Sequence, residues 1–215
     1  MATEEMRNKI IKSATALFIE HGCKRITMDG IANELHISKR TLYEYFNCKE
    51  DLLVACLTNL KESFNRAKQI FQEKNDSPIV MLLYLFKNSA DYNRRMYHLF
   101  SDIQSYYPDI HSTITAHTTT EYADYIRQTL TDAEKRGDLR QNVDIELSTM
   151  LLVHLVSKLG SVVPSNDTAN QKAIEMVSEG GFTYIRGLLS ASTIQRYDKQ
   201  EDVIRNMTNA YYEKI

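Results

Sequence analysis

Glycine and proline are scarce, at 7 and 3 of 215 residues, well below the usual share of each. Both residues punctuate turns, and sandwiches, barrels and propellers need many turns. Their scarcity therefore points to long helices with few connections. There is little charge of one sign: 26 Lys and Arg stand against 28 Asp and Glu, for a net −2. A broadly basic coat protein is excluded, although a local basic patch is not. Cysteine is sparse too, and Cys23, Cys48 and Cys56 cannot all pair with one another. The opening Met1-Ala2-Thr3-Glu4-Glu5 is acidic and polar, unlike a secretory signal, so a reducing cytoplasm is the expected compartment. Long apolar runs are missing; Ile79–Phe86 and Met150–Val153 are far too short to span a bilayer, and no membrane partner is expected.

What is present is helical periodicity. Ile10, Ala14, Leu17, Phe18 and His21 recur at helical spacing over 6–21, and Gly22 follows where a left-handed stop is wanted. Thr27 caps a second helix, 28–35, with Met28, Ile31, Ala32 and Leu35 on one face. The turn His36-Ile37-Ser38 leads to a third helix, 39–46, anchored by Leu42 and Phe46. A long fourth helix opens at Lys49, its stripe running through Leu53, Cys56, Leu60, Phe64, Ala67 and Phe71. Further helices are expected at about 78–92, 93–105, 109–136, 144–160, 168–190 and 195–213. The fold class is all-α, with about nine to ten helices. Residues 1–50 form an N-terminal three-helix module, with its motif at about 27–46. Residues 51–215 form a C-terminal helical bundle.

Two short helices joined by a tight turn suggest a helix-turn-helix. A major groove admits one helix, and a second must brace it at a steep angle. The turn then needs one residue in the left-handed region, and the spacing puts His36 there; histidine visits that region more often than most non-glycine residues. The third helix would be the reader, with Lys39, Arg40, Thr41, Tyr43, Glu44 and Tyr45 outward. Arg40 suits a bidentate guanine contact and Lys39 a phosphate, and tyrosine hydroxyls can donate to phosphate oxygens. Thr27 and Lys49 sit at helix starts, where free N–H groups favour phosphate. Composition alone decides little, since residues 1–50 carry a basic surplus of only one.

The run Ile26-Thr27-Met28-Asp29-Gly30-Ile31-Ala32, then Ser38-Lys39-Arg40-Thr41-Leu42-Tyr43-Glu44-Tyr45-Phe46, then Lys49-Glu50-Asp51-Leu52, closely resembles the DNA-binding module of TetR-family transcriptional regulators. The resemblance covers about residues 6–60. It implies a homodimer on a palindromic stretch of double-stranded DNA, usually repressing, with a C-terminal domain that dimerises and holds a small-molecule inducer. Carried over by position, the DNA contacts are Thr27, Ser38, Lys39, Arg40, Thr41, Tyr43, Tyr45 and Lys49. His36 departs from the usual small or glycine turn residue. Arg40 stands where the family often has a small one, and Gly30 replaces a more usual polar residue.

The rest of the chain carries less signal. Candidate pocket residues are aromatic or polar groups at apolar helix positions: Tyr84, Tyr92, Tyr97, His98, Phe100, Tyr106, Tyr107, His117, Tyr122 and Tyr125. The resemblance makes the last two long helices the dimer interface. One stripe runs through Leu147, Leu151, His154, Leu155, Lys158 and Leu159, and another through Met176, Gly180, Thr183, Tyr184 and Gly187. No HExxH, CxxC, phosphate loop or nucleophile with a nearby base is present, so neither metal, cofactor nor enzymatic activity is expected. The alternatives are a helical module that meets only protein partners and, more remotely, an all-helical enzyme.

Overall fold

The computed structural model describes residues 2–74, 77–161 and 168–199. Among the described residues the named helices are α1 Ala2–His21, α2 Met28–Glu34, α3 Lys39–Tyr45, α4 Lys49–Lys74, α5 Pro78–Arg95, α6 Tyr97–Tyr106, α7 Pro108–Lys135, α8 Ile145–Ser161 and α9 Thr168–Leu188. Residues 191–199 form a further helical stretch, α10. Among the described residues there is no strand, only an isolated antiparallel bridge between Leu139 and Leu189. No described helix is long and apolar enough to cross a membrane.

The all-α expectation holds, and the differences are at element ends. The break expected after residue 92 falls at Met96, a buried turn residue between α5 and α6. The last expected helix starts at 191 rather than 195, and its run beyond 199 lies outside the described residues. The side chains of Ala67, Phe71, His117 and Leu159 also lie outside them. His21, expected on the buried face of α1, is exposed; Ile11 and Thr15 are buried instead, the Thr15 hydroxyl donating to the Ile11 carbonyl at 2.7 Å.

Contacts divide the chain into two units. The first joins residues 1–67 to 95–111, so it extends past the expected boundary at residue 50 and takes in α6. Its core holds Ile10, Ala14 and Phe18 of α1, Ile31 and Ala32 of α2, Leu42 of α3, and Leu52, Leu53 and Cys56 of α4. Leu99 and Ile103 of α6 are buried too, and α6 packs on α1. The Cys56 thiol donates to the Ile11 carbonyl at 3.6 Å, and the Arg7 guanidinium lies 5.2 Å from the Phe46 ring centre.

The second unit takes residues 68–94 and 112–213. Ile79–Leu83, Tyr84 and Phe86 of α5 are buried, with Ile126, Leu130 and Ala133 of α7, Leu152 of α8 and Ile185 of α9. Helices α5 and α9 meet so closely that a Cβ at Gly181 would lie 2.0 Å from the Phe86 ring, and the Ser89 and Ser178 hydroxyls bond at 2.7 Å. Gly137, at φ +72, ends α7. After it the buried Asp138 accepts from the Thr193 hydroxyl at 3.1 Å and from the Arg196 guanidinium, tying the α7 end to α10. The Asp144 carboxylate caps α8, accepting the Leu147 N–H at 2.9 Å.

Candidate nucleic-acid interface

The helix-turn-helix is built by local hydrogen bonds. Thr27 has extended backbone, and its hydroxyl accepts the Gly30 N–H at 3.0 Å, starting α2. After α2 the chain reverses through His36, at φ 55. That is the left-handed residue expected from the spacing. The reversal is fastened by the His36 N–H to the Asn33 carbonyl (3.1 Å) and the Ile37 N–H to the Ala32 carbonyl (3.0 Å). Ser38 is extended, and its Oγ accepts the Thr41 N–H at 3.0 Å, starting α3. Leu42 and Phe46 are buried, so the opposite side of α3 is left to solvent.

On that side Arg40 is 90% exposed at its side chain, and Tyr43 is exposed. Ser38, Lys39 and Glu44 are exposed, and Thr41 and Tyr45 are half-buried. Thr27 is exposed at the start of α2, and Lys49 is half-buried at the start of α4. All eight residues expected to contact DNA thus lie in the first unit, on α3 or at the first residues of the elements flanking it.

Both basic residues of α3 are held by carboxylates. Lys39 Nζ pairs with Asp29 on α2, and Arg40 Nε donates to Glu44 Oε1 at 3.1 Å, one turn along. These are exposed pairs, worth only ~0–1 kcal/mol each. A phosphate or a base edge can displace either carboxylate at little cost, so the pairs leave both cations accessible. Neither pair is evident in the sequence beyond the i, i+4 spacing of Arg40 and Glu44.

The start of α4 has a cap that sequence reasoning missed. Cys48 Sγ accepts the Asp51 N–H at 3.5 Å, where a Ser, Asp or Asn is usual. Cys23 and Cys56 are fully buried. Burial pushes the Cys23 thiol up to about 12, helped by the Asp102 carboxylate, and the Cys56 thiol up to about 11.

The pocket candidates are divided between the two units. Tyr97, His98, Phe100, Tyr106 and Tyr107 fall in the first unit, and Tyr84, Tyr92, Tyr122 and Tyr125 in the second. Tyr84 is buried and its carbonyl accepts from the Asn88 amide at 2.9 Å, placing it in the α5 core. The Tyr125 hydroxyl is buried with no partner at hydrogen-bond distance, and Lys68 Nζ lies 4.4 Å from its ring centre. In the first unit a half-open cleft of about 440 Å³ is lined by His21, Lys24, Arg25, Tyr97, His98, Ser101, Asp102 and Tyr106.

Of the residues expected at the subunit interface, Leu151, His154 and Lys158 of α8 and Gly187 of α9 are exposed. Leu155 and Tyr184 are half-buried, and the Tyr184 hydroxyl bonds Ser148 Oγ at 3.0 Å. The same helices expose Leu147 (61%), Met150 (68%) and Met176 (71%). Nothing lies within 4 Å of a Cβ built at Gly180 or Gly187. No group of acidic, histidine or cysteine side chains suited to a metal occurs among the described residues.

Residues 10–56 match the family described as bacterial regulatory proteins, tetR family. The regulator HbdR of Aromatoleum sp. (strain CIB) is 38% identical over 63 residues, 29% of this chain and 28% of that one. The regulator UidR of Escherichia coli (strain K12) is 22% identical over 198 residues, 86% of this chain and 94% of that one. The fold is similar to that of the TetR family protein CprB from S. coelicolor A3(2), with a TM-score of 0.63 at 21% identity, covering 96% of this chain and 99% of that one.

Proposed function

We propose that this chain, a helix-turn-helix transcriptional regulator of the tetR family, acts as a homodimer that represses by occupying a palindromic operator and leaves it when a small molecule binds. The observation that carries this reading is the exposed α3 itself. Its two anchors, Leu42 and Phe46, are buried, while Arg40, Lys39 and Tyr43 are presented outward between capped helix starts. Arg40 reads a guanine edge, while Lys39, Thr27 and Lys49 hold phosphates.

The dimer reading rests on α8 and α9. Leu147, Met150 and Leu151 follow i, i+3, i+4 spacing on α8 and are all exposed. On α9 the exposed Met176, Gly180, Thr183 and Gly187 give a face of small residues that lets a partner helix approach closely. An apolar face of this kind on a single copy is a surface for a second one. Two copies with their α3 helices about 34–36 Å apart fit half-sites one DNA turn apart. A ligand that prefers a different spacing shifts the population off DNA, with α4 as the route. The buried, unpartnered Tyr125 hydroxyl supports a ligand site in the second unit.

The test is selection of bound genomic fragments by purified protein, followed by fluorescence anisotropy across a salt series. A tight palindromic site whose affinity falls steeply with salt is expected. Binding that is weak and blind to sequence at every salt concentration overturns the reading and leaves a module that meets only protein partners.

A further inference from the structure

We propose that the half-open cleft between the α1–α2 turn and α6 is a binding site for a small hydrophilic anion, a carboxylate or a phosphate, received by Arg25. The cleft measures about 440 Å³, within the usual range for small-molecule sites. Its walls are polar, which excludes a greasy occupant. Two imidazoles, His21 and His98, the hydroxyls of Tyr97, Tyr106 and Ser101, and two cations line it.

The opposing charges are already committed. Asp102 Oδ2 accepts the Lys24 N–H at 2.7 Å, so it faces the turn's backbone. Glu20 lies 3.6 Å from His21 Nε2. Lys24 Nζ is held by the Tyr106 hydroxyl and lies 4.1 Å from that ring centre. Arg25 is the cation left over. It lines the cleft, is exposed, and bonds to no described residue. A guanidinium with five donors and no hydrogen bond to a described residue is matched by the oxygens of a carboxylate or phosphate. The imidazole of His98, tilted 59° against Tyr97 with centres 4.9 Å apart, supplies a further donor at a fixed place.

This site needs neither an operator nor a second subunit, so it stands or falls separately from the function proposed above. The full-length protein, labelled with ¹⁵N, is titrated in two arms, with inorganic phosphate and with benzoate, chloride holding the ionic strength constant. Saturable shifts centred on residues 21–25 and 97–106 are expected in at least one arm, and the arm that saturates at lower concentration identifies the anion class. Arg25→Gln weakens that binding about tenfold, the loss of a charge-assisted contact, and His98→Gln weakens it less. Both side chains are exposed, so the thermal midpoint should not move. Shifts that never saturate in either arm, that are unchanged in Arg25→Gln, or that centre on Lys39, Arg40 and Lys49 would each overturn the proposal.

Discussion

The Asp102 carboxylate on α6 accepts the backbone N–H of Lys24 at 2.7 Å, bolting together two stretches 78 residues apart. Lys24 belongs to the turn that leads into α2. The bond is possible because Gly22, at φ +80, has no side chain; a Cβ there would lie 2.4 Å from Asp102 Oδ2. Asp102→Ala should therefore destabilise the protein by ~1–2 kcal/mol, the cost of a lost charge-assisted bond at a half-exposed site. Asp102→Asn, which keeps an acceptor, should lose less. Urea denaturation measures both, and equal stability of Asp102→Ala and the parent would deny the bolt any role.

His36 holds the turn of the helix-turn-helix at φ 55. A side chain in that region costs about 1 kcal/mol that glycine avoids. His36→Gly should stabilise the protein by ~0.5–1 kcal/mol even though glycine adds disorder to the unfolded chain. The denaturation midpoint should rise, with operator affinity within about twofold of the parent. A fall in the midpoint would mean that the imidazole makes a stabilising contact of its own.

Arg40 and Lys49 should fail differently. Arg40→Ala should cost ~1–3 kcal/mol on the selected operator and relax base preference at one position in each half-site. Lys49→Ala should weaken all DNA alike and reduce the salt slope by about one. Anisotropy on operator and random duplexes separates the two. If Arg40→Ala weakens both duplexes equally, Arg40 contacts phosphate.

The thiols should divide by burial. Cys23 and Cys56 are fully buried, and only Cys48 is half-exposed. An aromatic disulfide reagent at pH 8 should label Cys48 rapidly and the other two only after denaturation. The Cys23 thiol also sets an alkaline limit. Its unfolded value is 9.0 and the folded one about 12, so the unfolded chain loses the proton first. The stabilising contribution is complete below pH 9 and is lost as pH rises toward 12. Cys23→Ala should flatten that part of the stability profile.

Met176→Glu places a charge on the open face of α9, where the parent residue is 71% exposed. In a single copy such a change is nearly neutral, within about 0.5 kcal/mol. In a dimer it buries an unpaired carboxylate. Sedimentation equilibrium should show a loss of dimer with unchanged helix content, and a variant that stays dimeric would move the interface elsewhere.

The DNA-binding module is the part that could be read from the chain alone. Thr27, His36, Ser38, Leu42 and Phe46 are all within twenty residues, and the caps, the left-handed turn and the buried anchors depend on local backbone geometry and helical period. Those are properties of residue type at short spacing, and they survive any tertiary context. The ends of helices were less legible. The turn at Met96 carries no glycine, proline or side-chain cap; it is held by burial of the methionine.

The cleft beside α6, the Asp102 bolt and the separation of the tyrosines into two units could not be read at all. Nothing marks Asp102 as a partner of Lys24, because the pairing depends on where two distant helices come to rest. Likewise, Tyr97 and Tyr125 carry the same side chain at apolar helix positions, but they belong to different units. The sequence alone determined the run of helices, the Thr27 and Ser38 caps and the buried anchors of α3, whose interactions are local. Tertiary structure decided which polar groups meet, because long-range contacts follow from the packing of whole apolar faces.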